Sequence, residues 1–299
     1  MIAWHSLLKF WLRHNLQTVR GGWRIAQLLA WGQNSVPVTV QGGSPIYIDV
    51  TGFDLLEESL FLAAPEEPDF ERAERSLFRK IVQPGDIVFD IGANIGYHAA
   101  LFASLIKPDG RLIAFEPQPA LLPNLRRTIE AIPHARLFEC LLSDQPGEAM
   151  LHVPGHGYHM LAGMSDPGVP SLTLECEVET LDRLHRSGEI PLPDFVKIDV
   201  EGAESLVLRG GRELLNRPDA PIIFFEQWNT AAERCHCRPG DAVEILGSLA
   251  KPRFELFLVS EEGLLRVDAG IPGKCNLLAV PLSRKPRIAD APIASYARR

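Results

Sequence analysis

The stretch Val88-Phe89-Asp90-Ile91-Gly92-Ala93-Asn94-Ile95-Gly96 decides how the rest of the chain is read. An apolar run containing one acid enters a glycine-bearing turn, and a helix is predicted to start near Tyr97. A strand apolar on both sides belongs to a parallel sheet covered on both faces. Glycine in the turn lets the backbone approach a ligand closely. Asp90, at the strand end, is placed to orient the loop or to accept a hydrogen bond from a cationic ligand group. The next strand ends in Glu116, where an acid grips the two hydroxyls of an adenosine ribose. Neither half is specific alone, but strand, loop, helix and acid together point to an adenosine-containing ligand. A dinucleotide loop reads Gly-x-Gly-x-x-Gly, whereas this one reads Asp-x-Gly-x-x-x-Gly and has no basic residue to offset a pyrophosphate. Two acids so placed suit S-adenosylmethionine, whose sulfonium and amino groups are cationic.

Outward from this loop, strands and helices alternate. Strands are predicted at Ile87–Ile91, Arg111–Phe115, Leu137–Leu142, Phe195–Val200 and Pro221–Glu226, with helices between several of them. That is the pattern of an α/β domain built on a parallel sheet. Two later apolar runs, Phe254–Val259 and Asn276–Val280, read as a closing pair with room for one antiparallel strand. The Gly-, His-, Pro- and Met-rich stretch His152–Pro170 breaks the rhythm and reads as a lid or substrate loop.

The fourth strand is unusual, running Phe195-Val196-Lys197-Ile198-Asp199-Val200-Glu201-Gly202-Ala203-Glu204. Strand period two places Lys197, Asp199 and Glu201 on one face. Burying charges there costs several kcal/mol unless they are paired, so a structural Lys–Asp pair is one reading. Asp199 and Glu201 also fall at the carboxyl end of the strand, where open α/β sheets bind ligands. The fifth strand ends in another acid, Glu226, so three carboxylates are expected to converge on one cleft.

The 299 residues carry a net charge of −8, which argues against a nucleic-acid binder relying on bulk charge. Five scattered cysteines favour a reducing compartment over a disulfide framework. Lys9 and Arg13 break the apolar region that a signal peptide needs, no run is long enough to span a membrane, and a cytoplasmic location is expected. Residues 1–35 read as a basic amphipathic helical extension, with Lys9, Arg13, Arg20 and Arg24 opposite Trp4, Leu8, Trp11 and Trp23. Residues 1–31 suit either a packing or self-association surface or peripheral contact with an anionic membrane. Residues 36–80 read as a β-hairpin and helix preceding the core, 81–283 as the catalytic domain and 284–299 as a C-terminal tail. His98, His152, His156 and His159 read as loop histidines before bases. Cys235-His236-Cys237 lacks the second ligand pair that a zinc site requires.

The motifs Asp90–Gly96 (DIGANIG), Phe115-Glu116-Pro117, Ser143-Asp144, Thr180-Leu181-Asp182, Val196–Glu204 (VKIDVEGAE) and the later Glu226 occur in an order that resembles the FkbM family of methyltransferases. The resemblance covers residues 36–283. It implies the class I (Rossmann-like) methyltransferase fold: a seven-stranded, mostly parallel sheet with helices on both faces, here preceded by an N-terminal helix and hairpin. It implies S-adenosylmethionine as methyl donor, a small-molecule or glycan acceptor, and O-methylation of a sugar or natural-product hydroxyl. Carried over, Asp90, Gly92, Ala93, Asn94 and Gly96 form the donor loop. Glu116 and Pro117 hold the ribose, Ser143 and Asp144 border the adenine, and Asp199 and Glu201 lie near the transferred methyl. Glu139 stands where the family often has Asn.

Methyl transfer is an in-line displacement in which positioning supplies much of the catalysis, and an alcohol acceptor must also lose its proton. Asp199 is the first candidate base, oriented by Lys197, with Glu201 and Glu226 as alternatives. No metal ligands are assigned, although the three acids would suit Mg²⁺ as a lesser alternative. The rival readings are a nicotinamide-dependent oxidoreductase, which the loop pattern disfavours, and a non-catalytic donor-binding scaffold.

Overall fold

The computed structural model describes residues 35–41, 43–49, 55–64, 66–154, 171–267 and 270–296. The basic helical reading of residues 1–34, and most of the lid reading with His156 and His159, lie outside the described residues. Strands β1 (Ser35–Val38) and β2 (Ile46–Asp49) form an antiparallel pair. Helices α1 (Leu55–Ala63) and α2 (Arg72–Ile81) follow. The glycine loop connects β3 (Ile87–Ile91) to α3 (Tyr97–Ile106), and β4 (Arg111–Phe115), α4 (Leu122–Glu130) and β5 (Ala135–Phe138) continue the alternation.

The chain then leaves the main sheet. Leu137–Leu142 is not one strand, because it breaks after Phe138 into β5 and the short β6 (Leu141–Leu142). Glu139 at the break is exposed and paired with Arg126. Strand β6 joins β7 (Gly147–Pro154) and β8 (Ser171–Glu179) in a separate three-stranded sheet of order β6-β8-β7. After α5 (Leu181–Arg186) the alternation resumes with β9 (Phe195–Ile198), α6 (Glu204–Gly210), α7 (Arg212–Leu215) and β10 (Ile222–Trp228). Helices α8 (Asn229–Arg234) and α9 (Asp241–Gly247) precede β11 (Phe254–Ser260), β12 (Gly263–Val267) and β13 (Lys274–Pro281). A 3₁₀ segment, Leu282–Ile288, and β14 (Ile293–Tyr296) end the described chain.

The main sheet has nine strands in the order β14-β12-β11-β13-β10-β9-β3-β4-β5. Strands β10, β9, β3, β4 and β5 are parallel, and β13 runs antiparallel to both β10 and β11. The seven strands from β11 to β5 are the expected sheet. Strand β12 pairs with β11, and β14, inside the stretch read as a tail, pairs in parallel with β12.

Period two assigns each strand residue to a face. Val88, Phe195, Ile222 and Phe224 pack with Phe78 and Phe102 of α2 and α3, while Phe89, Ile91, Val196, Ile198 and Phe225 pack on the other side. Asp90, Lys197 and Glu226 therefore continue the first face, toward the strand ends. The order reverses between β3 and β9, which is the topological switch point where open α/β sheets take ligands. Asp90 is registered directly against Lys197 there.

Candidate active site

At the switch point a cavity of about 360 Å³ opens between the β3–α3 loop and the ends of β9 and β10, within the range of small-ligand sites. Its floor is the glycine loop. The amides of Gly92 and Ala93 both donate to the Phe115 carbonyl at 3.0 Å, drawing the loop across the end of β4. Gly92 has φ 77°, and a Cβ there would lie 1.9 Å from the Asp199 carbonyl oxygen. Asn94 takes a positive φ of 53° without being glycine, as short polar side chains tolerate.

Glu116, the residue after β4, is buried and accepts the amides of Asn94 at 2.8 Å and Gln118 at 3.0 Å. A carboxylate has about four lone-pair positions, so capacity remains for a pair of hydroxyls. Burial pushes its carboxyl up to about 7 despite those two amides.

Lys197 is buried between acids. Its Nζ lies 3.5 Å from Asp90 Oδ1 and 3.4 Å from Asp199 Oδ2, and it donates to the Gly92 carbonyl at 3.2 Å. Burial alone would lower the lysine, but Asp199 and Asp90 overcome it and hold the ammonium protonated above the usual range. The Lys197–Asp pair is thus structural and local to the site at once, since it ties β9 to the glycine loop and presents Asp199 to the cavity.

Strand alternation does not carry the acids beyond Lys197, because β9 ends at Ile198. The following turn places them instead. Glu201 has φ 56°, and Gly202, at φ 106°, packs so closely on α8 that a Cβ would lie 2.3 Å from the Ala231 carbonyl carbon. Glu204 holds the turn by accepting the amides of Val200 at 3.2 Å and Gly202 at 3.1 Å. Asp199, Glu201 and Glu226 all line the cavity, with Pro117 and Ala93. Burial, then the neighbouring Asp199 and Glu226 charges, pushes Glu201 up to about 9. Burial and Asp199 push Glu226 up to about 6 against the pull of Lys274.

Other residues named from the sequence fall elsewhere. Gly96 is not in the cavity lining; it begins α3 at φ 88°, where a Cβ would meet the Thr128 side chain at 2.7 Å. Ser143 and Asp144 are also outside the lining, which takes Cys140, Leu141 and Leu142 from that segment. The Ser143 amide donates to the Glu179 carbonyl at 3.0 Å, and Asp144 borders a separate surface depression beside Asp182. The early departure of the chain from the sheet after β5 shifts this segment. Cys235 and Cys237 are buried and hydrogen-bond backbone carbonyls of Glu201 and Cys235. Among the described residues no group of three His, Cys, Asp or Glu side chains is arranged to hold a metal ion.

Several lining residues carried no motif. Glu71 Oε2 lies 3.1 Å from His98 Nε2, and the Asn276 amide donates to Glu74 at 2.6 Å. Lys274 Nζ sits 3.5 Å from the Trp228 ring centroid and 3.4 Å from Glu226. Glu71 immediately precedes α2 and Glu74 lies in its first turn; the only signal there is a preponderance of acids. Six acidic side chains against two lysines line the cavity, which fits a ligand with hydroxyls for Glu116 and positive charge for the opposite wall.

A parallel sheet flanked by the reversed β13, with a glycine loop at the switch point and an acid after the second strand, defines a class I (Rossmann-like) methyltransferase fold. The chain belongs to the methyltransferase FkbM domain family, which matches residues 90–251. It is similar to the 2-O-methyltransferase NoeI of Sinorhizobium fredii, at 27% identity over 49% of this chain and 65% of that protein. It is similar at 27% identity to the hexuronic acid methyltransferase AglP of Haloferax volcanii, over 51% of this chain and 62% of that protein. It also resembles the 31-O-demethyl-FK506 methyltransferase FkbM of Streptomyces tacrolimicus, at 32% identity over 43% of this chain and 60% of that one. The chain thus spans less than two thirds of the length of each of these relatives. Among the described residues no helix is long and apolar enough to cross a membrane.

Proposed function

We propose that this protein is an S-adenosylmethionine-dependent O-methyltransferase acting on a hydroxyl of a sugar or natural product. The observation that carries the reading is the joining of Glu116, the glycine loop and Asp199 around one acid-lined cavity. The names of the three relatives, two of them O-methyltransferases and one acting on a hexuronic acid, support the acceptor class. Bound at this site, S-adenosylmethionine supplies an electrophilic methyl group on a sulfonium.

Glu116 takes the ribose hydroxyls, and Gly92, Ala93 and Asn94 let the backbone lie against the donor. Asp199 accepts the acceptor's proton, while Lys197 fixes its orientation. Glu226, at about 6, is the second candidate because a base is most effective when its pKa lies near the working pH. Glu201, at about 9, is a carboxylic acid at neutral pH and donates a hydrogen bond to the acceptor.

The test is direct. S-adenosylhomocysteine should raise the melting temperature by binding the native state, and radiolabelled methyl should pass from S-adenosylmethionine to a hydroxylated sugar. Binding of NAD in preference to S-adenosylhomocysteine would overturn the reading. Unchanged turnover in EDTA separates a simple carboxylate base from three acids holding a cation.

A further inference from the structure

Glu71 lies upstream of the stretch that the family matches, in the turn leading into α2. Its backbone is left-handed, with φ 50° and ψ 43°, and its side chain makes no capping hydrogen bond to the helix that it precedes. A non-glycine residue in that conformation is strained, and such strain gathers where a side chain must be aimed. Here the carboxylate lines the cavity and meets the ring of buried His98 at 3.1 Å. Burial alone would raise the carboxyl, but His98 foremost, then Lys197 and Arg75, keep it below the usual carboxylate range, so it stays an anion.

The glycine loop gives this anion its place along the ligand. Glu116 marks one side, bonded to the Asn94 amide, and Lys197 marks the other, bonded to the Gly92 carbonyl. Glu71 lies within the field of Lys197 and against His98 of α3. A ligand with its ribose on Glu116 and its length across the loop therefore brings its far end to Asp199 and Glu71. We propose that Glu71, oriented by His98, is a donor-binding residue that receives the α-ammonium of the zwitterionic amino-acid end of S-adenosylmethionine, so that chain upstream of the family domain completes the donor site. This rests on the donor reading above.

The experiment is calorimetry on the full chain with S-adenosylmethionine and with 5′-methylthioadenosine, which keeps the adenosine and lacks both the sulfonium and the zwitterionic amino-acid end. S-adenosylhomocysteine, which keeps that end without the sulfonium, should show the same loss as S-adenosylmethionine. Its unchanged affinity in Glu71→Gln would assign the effect to the sulfonium and overturn the proposal. Glu71→Gln should weaken S-adenosylmethionine about tenfold or more, the scale of a lost hydrogen bond to a charged group. Its affinity for 5′-methylthioadenosine should not change. His98→Gln should weaken S-adenosylmethionine less, with the same selectivity. Equal S-adenosylmethionine affinity in wild type and Glu71→Gln overturns the proposal, and so does a parallel loss for S-adenosylmethionine and 5′-methylthioadenosine, which marks a structural role. If Glu71→Gln does not fold, Glu71→Asp, which withdraws the charge by one methylene, is read in the same way. Wild type that binds none of the three ligands defeats the donor reading itself, whereas with all three bound by wild type any selective loss in the variant belongs to Glu71 alone.

Discussion

Gly92 has to be glycine for two separable reasons: its φ of 77°, and the 1.9 Å approach that any Cβ would make to the Asp199 carbonyl. Gly92→Ala is therefore expected to lower stability by about 2 kcal/mol or more and to abolish donor binding, as chemical denaturation and calorimetry will report. Asp199 separates binding from chemistry. Asp199→Asn keeps the size and loses the charge, so turnover should fall by roughly 10²-fold or more while S-adenosylhomocysteine still raises the melting temperature. Near-normal turnover would move the base to Glu226. Glu116 acts through its lone pairs, and its carboxyl, pushed up to about 7, ionises within the physiological range. Donor affinity in the wild type should rise as pH is raised from about 6 to about 8, and Glu116→Gln should flatten that rise.

At the scale of elements, the turn after β9 and the start of α7 show how acids in similar contexts do different work. Glu204 closes the turn that aims Asp199 and Glu201, whereas Asp182 accepts the amides of Glu213 at 2.9 Å and Leu214 at 2.8 Å. Thr180 caps its own helix by accepting the Arg183 amide at 3.1 Å. Thr180-Leu181-Asp182 is thus a clamp that docks α5 on α7, away from the cavity. Asp182→Ala should cost about 1–2 kcal/mol of stability, as loss of a helix-terminal acceptor does, with donor affinity unchanged. Weakened donor binding in a fully folded Asp182→Ala protein would show that the clamp reaches the site.

Across the whole molecule, the cavity is assembled at the expense of stability. Glu116 and Glu204 are pushed up to about 7, Glu226 to about 6 and Glu201 to about 9, chiefly by burial. Each of these groups holds its proton more tightly folded than unfolded. The folded state therefore binds more protons between the ordinary glutamate value and these raised ones, and stability falls as pH rises through that window. The ligand-free protein should be most stable near pH 5 and lose melting temperature steadily toward pH 9. A cationic donor offsets the repulsion among these acids, so its stabilising effect should grow over the same range. A flat profile across that range would show that the carboxyls are not held in this way.

What could be read from the chain without coordinates is what obeys local physics. A glycine-bearing turn after an apolar strand, an acid at the end of the next strand, and a charged triplet in a strand that ought to be apolar each satisfy or violate a rule of their own segment. Much of the cavity lining, Gly92, Ala93, Asn94 and Glu116 together with the acids Asp199, Glu201 and Glu226, is legible in this way. Which distant groups share the cavity depends instead on how the whole chain packs. Glu71 enters through a left-handed backbone position, and Lys274 and Asn276 enter because β13 runs back antiparallel to β10. Packing also sets where the third strand ends. The run from Leu137 to Leu142 is apolar enough for one strand, yet β8 competes for its last two residues and draws them into a second sheet. That displaces Ser143 and Asp144 from the cavity. Pairing partners are chosen by the whole fold, and no local pattern records them.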